Sequence, residues 1–255
     1  MQKSSNPVFK NLAKQVDITA DAATLGGISI KTVILLVLAF ASAAASVIFG
    51  IKAVQAPNET VAFSIEPWLI AVISASFVTS FISVLIANFF PRVAMPFSML
   101  YALGQGAFLG VLTAIVNAFV PGAAITALIG VGSIFLVMLF LYTSRAFRVT
   151  NKFRKVMFAS LIGILLASVI IGILQLAGVA LVSGNNIGIA IAVTVLLIIF
   201  GAFMLMLDFD YAENITKHGF PKRFEWIAAL GFMVTLVWIY VQVLRLIILI
   251  AARRD

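Results

Sequence analysis

Seven apolar segments, each close to the length that crosses a bilayer, constrain this chain more than any other feature. A transmembrane helix needs about 20 mostly apolar residues, because each residue adds about 1.5 Å and the hydrocarbon core is about 30 Å thick. Hydrophobic residues fill 63% of the 255 positions and charged residues only 10%, so lipid must solvate much of the surface. The predicted segments are Thr32–Ile51, Trp68–Phe90, Met95–Val120, Ala123–Tyr142, Val156–Val182, Ile187–Leu207 and Trp226–Ala251.

The connections between these segments are short, which indicates one helical bundle. Proline and glycine mark several turns, as in the sequence "HGFP" before the last segment. We therefore predict an all-α membrane protein with a cytoplasmic N-terminal segment, residues 1–30, and a seven-helix transmembrane domain, residues 31–255. The N-terminal segment is polar, and its apolar stretches are too short for the core of a signal peptide.

The basic residues are distributed unevenly between the two ends of the predicted bundle. They concentrate before the first helix and in the second, fourth and sixth loops, whereas the odd-numbered loops carry Lys52 alone beside Glu59 and Glu66. Since basic loops stay on the cytoplasmic side, we expect a cytoplasmic N-terminus, an external C-terminus and a location in the cell membrane. The same loops account for the net charge of +8, so we predict lipid and not nucleic acid as the basic surface's partner.

Several kinds of chemistry are poorly supported by the composition. The chain has no cysteine, one histidine (His218) and nine acids, which leaves little material for a metal cage, and no cofactor is implied. Gly104, Gly106 and Gly110 lie in a membrane segment without phosphate-loop spacing, and tight helix packing explains them better. No serine–histidine or paired-aspartate set lies at matching depth, so we predict that the protein is not an enzyme.

A few polar side chains interrupt the apolar segments. Gln105 and Gln242 lie deep in their helices, where an amide must face the bundle interior, water or a partner. Both are candidates for lining a water-filled path. Arg245 lies about 28 Å along the last helix at 1.5 Å per residue, near the outer interface, where its head can reach water.

Two acids stand at the cytoplasmic end of the sixth segment, in "MLDFDYAE". Asp208 and Asp210 are two residues apart, so they point to different sides of a helix. Both can be solvated acids that mark the helix exit. Alternatively, Asp208 points inward, is partly desolvated, and changes its pairing with a basic neighbour such as Arg92 when it is protonated.

Four stretches resemble the Bax inhibitor-1 family, in particular its bacterial YccA-like branch. The likeness covers nearly the whole chain, and it rests on "NPVF", "MPFSMLYALGQGAFLG", "MLDFDYAE" and "PKRFEWIAALGFMVTLVWIYVQVLRL". The resemblance implies a seven-helix fold with the last helix central. It also implies a proton-sensitive leak of cations, chiefly calcium.

The resemblance further implies a cytoplasmic latch between an acid that ends the sixth helix and an aspartate in the seventh. The first maps onto Asp208 and the second onto Thr235, so a pair of carboxylates that shares a proton cannot form at those positions. Glutamates common in this branch correspond to Gln105 and Gln242, which weakens a calcium site because divalent cations prefer anionic oxygen. Asp210 could supply a second acid.

We therefore predict a pH-sensitive cation leak channel, or a channel-like membrane regulator. Asp208 and Asp210 would be the proton sensor and gate, and Arg92 would be the latch partner. Gln105, Thr235 and Gln242 would line the path. The alternative is a non-conducting interaction protein that modulates a membrane protease or another membrane complex, and the loss of interior acids fits that alternative.

Overall fold

The computed structural model describes residues 22–55, 61–65, 67–146, 149–176 and 187–253. These residues form seven α-helices, one short hairpin and one 3-10 turn, Pro91–Val93. The hairpin pairs β1 with β2 in antiparallel register, from Ile51 opposite Ile65 to Gln55 opposite Val61. In chain order the elements are α1 (Leu25–Gly50), β1 (Ile51–Gln55), β2 (Val61–Ile65), α2 (Pro67–Phe89), α3 (Ala94–Phe119), α4 (Ala123–Thr143), α5 (Asn151–Leu176), α6 (Ile187–Lys217) and α7 (Arg223–Ala251).

Six helical spans are long and apolar enough to cross a membrane: α1, α4, α6 and α7 over their whole length, α5 as far as Leu174, and Pro91–Phe119, which contains α3. The apolar part of α2, Ile73–Phe89, is shorter. The chain is thus a multi-pass helical membrane protein. Within the described ranges, six helices qualify as spans by length and composition, and the seventh span stays a prediction.

Two helices extend well beyond the apolar segments that predict them. Helix α1 begins at Leu25 and not at Thr32, and α6 continues to Lys217, ten residues past Leu207. A helix does not have to end where the lipid ends, because its backbone hydrogen bonds are internal. The extra turns of α6 carry Asp208 and Asp210 on regular helix. The predicted end of the fifth helix, Val182, lies outside the described residues.

Close helix packing holds α3 against its neighbours, as its small residues predict. A Cβ added to Gly106 would lie 2.7 Å from the Ala39 Cα atom, and one added to Gly110 would lie 2.8 Å from the Ala43 Cα atom. At this separation Ser42 donates from its hydroxyl to the Leu103 carbonyl at 2.6 Å. Glycine therefore sets the α1–α3 distance, as in other membrane bundles.

Helix α7 is packed against most of the bundle. It contacts α1, α2, α3, α4 and α6, and several of its apolar side chains are fully buried, among them Leu230, Met233, Ile239 and Leu244. One end of the bundle is rich in cations, and we call it the basic end. It carries Lys31, Arg92, Arg154, Lys217 and Lys222.

Candidate functional site

Asp208 faces α7, where its carboxylate lies against Gly231 and the Thr235 hydroxyl. The Thr235 hydroxyl donates to the Asp208 Oδ2 atom at 2.6 Å. One turn earlier on α7, a Cβ added to Gly231 would lie 3.3 Å from Oδ1. Asp208 is half-buried and Thr235 is buried. The four-residue spacing of Gly231 and Thr235 puts both on one face of α7, so that face forms a shallow seat for one carboxylate.

Close contact between α6 and α7 continues away from the basic end. A Cβ added to Gly201 would lie 2.7 Å from the Ile239 Cγ1 atom and 3.2 Å from the Trp238 ring. Gly201 and Asp208 are seven residues apart, so they share one face of α6. The Asp208 carboxylate therefore lies at the end of a stretch in which α6 and α7 pack closely.

Phe209 fixes the rotation of α6 between its two acids. This ring is buried, and its centroid lies 5.5 Å from that of Phe135 on α4 and 5.1 Å from that of Phe232 on α7. With Phe209 held in the core, Asp208 turns toward α7 and Asp210 turns toward α5. The two acids occupy different sides of the helix, as their spacing predicts.

Asp210 belongs to a polar cluster that joins three helices at the basic end. Its Oδ2 atom accepts from an Arg154 guanidinium nitrogen at 2.5 Å and from the Asn214 amide at 3.1 Å. Glu213, one turn further along α6, accepts from the Tyr142 hydroxyl on α4 and forms an ion pair with Lys217. The Glu213–Lys217 pair has the favourable order for a helix.

The pairing of Asp208 with Arg92 that the sequence suggests is not formed. Arg92 is exposed on the 3-10 turn that precedes α3, and within the described residues no hydrogen bond or ion pair joins it to Asp208. The reason is geometric, because Asp208 is directed into the seat on α7. Of the candidates predicted from the sequence, Thr235 is the one that contacts Asp208.

A polar stripe continues along α7 from this seat. Gly231, Thr235, Trp238 and Gln242 follow one another at spacings of four, three and four residues, which is one face of a helix. Gln242 is 8% exposed. Its Oε1 atom and the Trp238 Nε1 atom are buried without a hydrogen-bond partner among the described residues. Buried polar atoms of this kind are usually satisfied by water.

Gln105 lies at a similar depth to Asp208 but on another helix. Helices α3 and α7 run parallel, since the Thr113 and Tyr240 hydroxyls meet at 2.9 Å and Ser98 donates to the Trp226 carbonyl at 3.4 Å. This register places Gln105 level with the first turns of the polar stripe. Gln105 is half-buried, and no hydrogen bond within the described part of the chain ties it to Asp208, Thr235 or Gln242.

Glu225, in the first turn of α7, is a buried acid that the sequence patterns do not indicate. It is 3% exposed, accepts from the Thr24 backbone N–H at 2.8 Å and forms an ion pair with Lys31. A Cβ on Gly27 would collide with its carboxylate. The available signal was an acid in a first helical turn, where the helix dipole favours negative charge. Glu225 thus fixes the start of α1 to the start of α7.

The site is therefore an acid between two membrane helices, at one end of a polar stripe in which the Trp238 Nε1 and Gln242 Oε1 atoms have no partner among the described residues. Ion pairs lie nearby, at the basic end. No group of three or more acids or histidines that could hold a metal occurs in the part of the chain that the structure describes. This fold and site define a polytopic membrane protein with an isolated interior carboxylate.

The family follows from comparison with known proteins. A family model described as "Bax inhibitor 1 like" matches residues 6–252, so the chain belongs to the Bax inhibitor 1-like family. Searches of curated proteins and of solved structures found no match. The bacterial YccA-like branch remains a prediction from the sequence motifs.

Proposed function

We propose that this protein is a pH-sensitive cation leak channel whose basic end faces the cytoplasm, with Asp208 as its proton sensor. The observation that carries the proposal is the 2.6 Å hydrogen bond from Thr235 to Asp208. This bond crosses between two helices that are otherwise in close apolar contact. A charged carboxylate accepts it strongly, and a protonated one more weakly, because charge-assisted hydrogen bonds are about twice as strong as neutral ones.

Protonation of Asp208 thus does two things at once. It weakens the cross-link between α6 and α7, and it removes a negative charge beside the polar stripe. Thr235 replaces the aspartate that the resemblance implies, so the latch here is a carboxylate held by a hydroxyl. Compared with a latch of two carboxylates, this one would have a single titrating group, so binding of one proton would set its state.

The path would follow the polar stripe of α7. The buried Oε1 atom of Gln242 and the Nε1 atom of Trp238 have no partner among the described residues, which supports water along this face. Gln105 would contribute a second amide from α3. Neutral amides and a hydroxyl favour weakly bound monovalent cations more than calcium, which prefers carboxylate oxygens.

Asp210 would have a structural role. Its ion pair with Arg154 ties α6 to α5, and both side chains are partly exposed, Arg154 at 43% and Asp210 at 19%. An exposed pair contributes little to stability. We therefore assign Asp210 to holding α6 in register and assign the pH response mainly to Asp208.

A non-conducting interaction protein is the second candidate. It is favoured by one observation: a threonine, and not a second acid, faces Asp208. In that case α6 and α7 would be a permanent contact, and the function would lie in binding a membrane protease or another complex.

Reconstitution separates the two candidates. Purified protein in liposomes would be assayed for calcium and potassium entry between pH 6 and pH 8, beside empty liposomes. The channel proposal predicts entry above the empty control that rises as the pH falls. Absence of entry at every pH, together with co-purification of a defined membrane partner, would favour the interaction protein.

A further inference from the structure

A deep groove runs between α1 and α4, separate from the Asp208 seat. Its volume is about 1760 Å³. Helix α1 forms one wall and α4 the other, while α3, α6 and α7 form the floor. Both walls present exposed apolar side chains, such as Phe40 and Leu128. The groove therefore opens sideways, into the layer that lipid chains occupy.

Apolar walls and a polar end divide the groove along its length. The middle is lined by residues such as Leu36, Val131 and Phe135, whereas the basic end holds Arg145 and Lys217. Contact between water and these apolar walls is unfavourable, whereas an acyl chain is as apolar as the side chains that line them. The shape suits a molecule with an acyl chain and one polar head.

The charges at the basic end favour an anionic head. Arg154, Lys217 and Arg145 face two carboxylates, Asp210 and Glu213, which leaves one positive charge in excess. The two carboxylates are already bonded. The Arg145 side chain is exposed and has no side-chain hydrogen bond or ion pair within the part of the chain that the structure describes.

We propose that this groove is a binding site for one anionic phospholipid, with its phosphate at Arg145 and its acyl chains between α1 and α4. Basic residues near a membrane surface contribute about 1 kcal/mol each toward anionic lipid. One bound lipid would fill the space that α1 and α4 leave between them. The site does not depend on whether the protein conducts ions.

Gly132 offers a direct way to block the groove. It lies on the groove wall of α4, and a Cβ added there meets nothing within 4 Å. Gly132→Leu therefore narrows the groove from a position where the added Cβ has room, and it raises local helix propensity. Gly163→Leu on α5 is the matched control, because Gly163 is equally open but does not line the groove.

Native mass spectrometry of the purified full chain would measure the lipid directly, with phosphatidylglycerol and phosphatidylcholine as probes. We expect one phosphatidylglycerol to stay bound in the wild type and in Gly163→Leu, and to be lost in Gly132→Leu. Arg145→Gln should weaken retention about fivefold, the equivalent of about 1 kcal/mol, and should abolish the preference over phosphatidylcholine.

Three results would overturn the proposal. Equal retention in Gly132→Leu and the wild type would mean ordinary surface lipid. Equal binding of both lipids, unchanged by Arg145→Gln, would mean that the site does not recognise an anionic headgroup. A lipid-free wild-type dimer that Gly132→Leu dissociates would make the groove an interface between two copies.

Discussion

Replacing Thr235 with valine tests the assigned role of the hydroxyl with little change of shape. Valine keeps the branched side chain but has no donor, so the Asp208 carboxylate loses the hydrogen bond measured at 2.6 Å. A hydrogen bond to a charged group contributes roughly 1.5–3 kcal/mol. The protonated acid loses less than the charged carboxylate does, so the substitution favours protonation.

The size of the effect follows from the linkage between free energy and pH. One pH unit corresponds to about 1.36 kcal/mol. A neutral hydrogen bond is about half as strong as a charge-assisted one, so the charged state loses roughly 0.8–1.5 kcal/mol more than the protonated state. Loss of the Thr235 bond should therefore raise the pH at which flux is half-maximal by about 0.5–1 unit. A leak that opens on acidification in the wild type would then open closer to neutral pH in Thr235→Val.

Two assays would measure this shift independently. The first is cation flux into liposomes against pH. The second is an infrared titration of the protonated carboxyl band, obtained as the difference between each protein and its Asp208→Asn counterpart. Thr194→Val is the matched control, because Thr194 is buried and its one hydrogen-bond acceptor among the described residues is the Ala190 carbonyl of its own helix, at 2.7 Å.

The reasoning would be refuted by an unchanged or lowered midpoint in Thr235→Val. A shift of the same size in Thr194→Val would also refute it, because Thr194 lies about 21 Å from Asp208 along α6 at 1.5 Å per residue. In the described part of the chain its hydroxyl bonds within α6. If the infrared midpoint rises but no flux is found, Thr235 does control the proton, and the channel proposal alone fails.

Three further predictions concern packing and charge, and each is measured by thermal unfolding in detergent. Glu225→Ala should destabilise the fold by about 2 kcal/mol, because Lys31 and the Thr24 backbone N–H lose their acceptor. A change below about 0.5 kcal/mol would contradict the role of Glu225 in joining the start of α1 to the start of α7. Gly201→Ala should cost about 1–3 kcal/mol by overpacking against α7, whereas Gly172→Ala, with nothing within 4 Å of an added Cβ, should be neutral or stabilising. Arg154→Gln should cost less than about 1 kcal/mol, and less still at high salt, because its pair with Asp210 is partly exposed.

Much of the fold could be predicted from hydropathy because lipid imposes a length on every spanning helix. The helices at Met95–Val120 and Ala123–Tyr142 are matched within one residue at each end by α3 and α4. Failures occur where helix continues into water, as at Leu25 and Lys217. Hydropathy detects the lipid boundary and not the helix end. The hairpin Ile51–Ile65 was missed for a related reason, because pairing between strands has no hydropathy signal in so short a segment.

The site was only partly predictable. Spacing separates Asp208 from Asp210, but it does not say which helix each acid faces. The resemblance maps Thr235 onto the family's aspartate and predicts only that it lines the path. The hydrogen bond to Asp208 comes from the structure, since no local pattern links residues on two helices. Charge and a loop position favour Arg92 as a partner of Asp208, but neither property fixes the direction of a side chain. Glu225 was missed because a surface-like motif, "PKRFEW", is covered by the start of α1.

The central claim is that the proton on Asp208 controls ion flux. The most direct test is cation entry into liposomes from pH 6 to pH 8, for the wild type and Asp208→Asn in parallel. The account predicts that wild-type flux depends on pH, and that Asp208→Asn, with a permanently neutral side chain, is fixed near the low-pH rate at every pH. A mutant that keeps the wild-type pH dependence would contradict it.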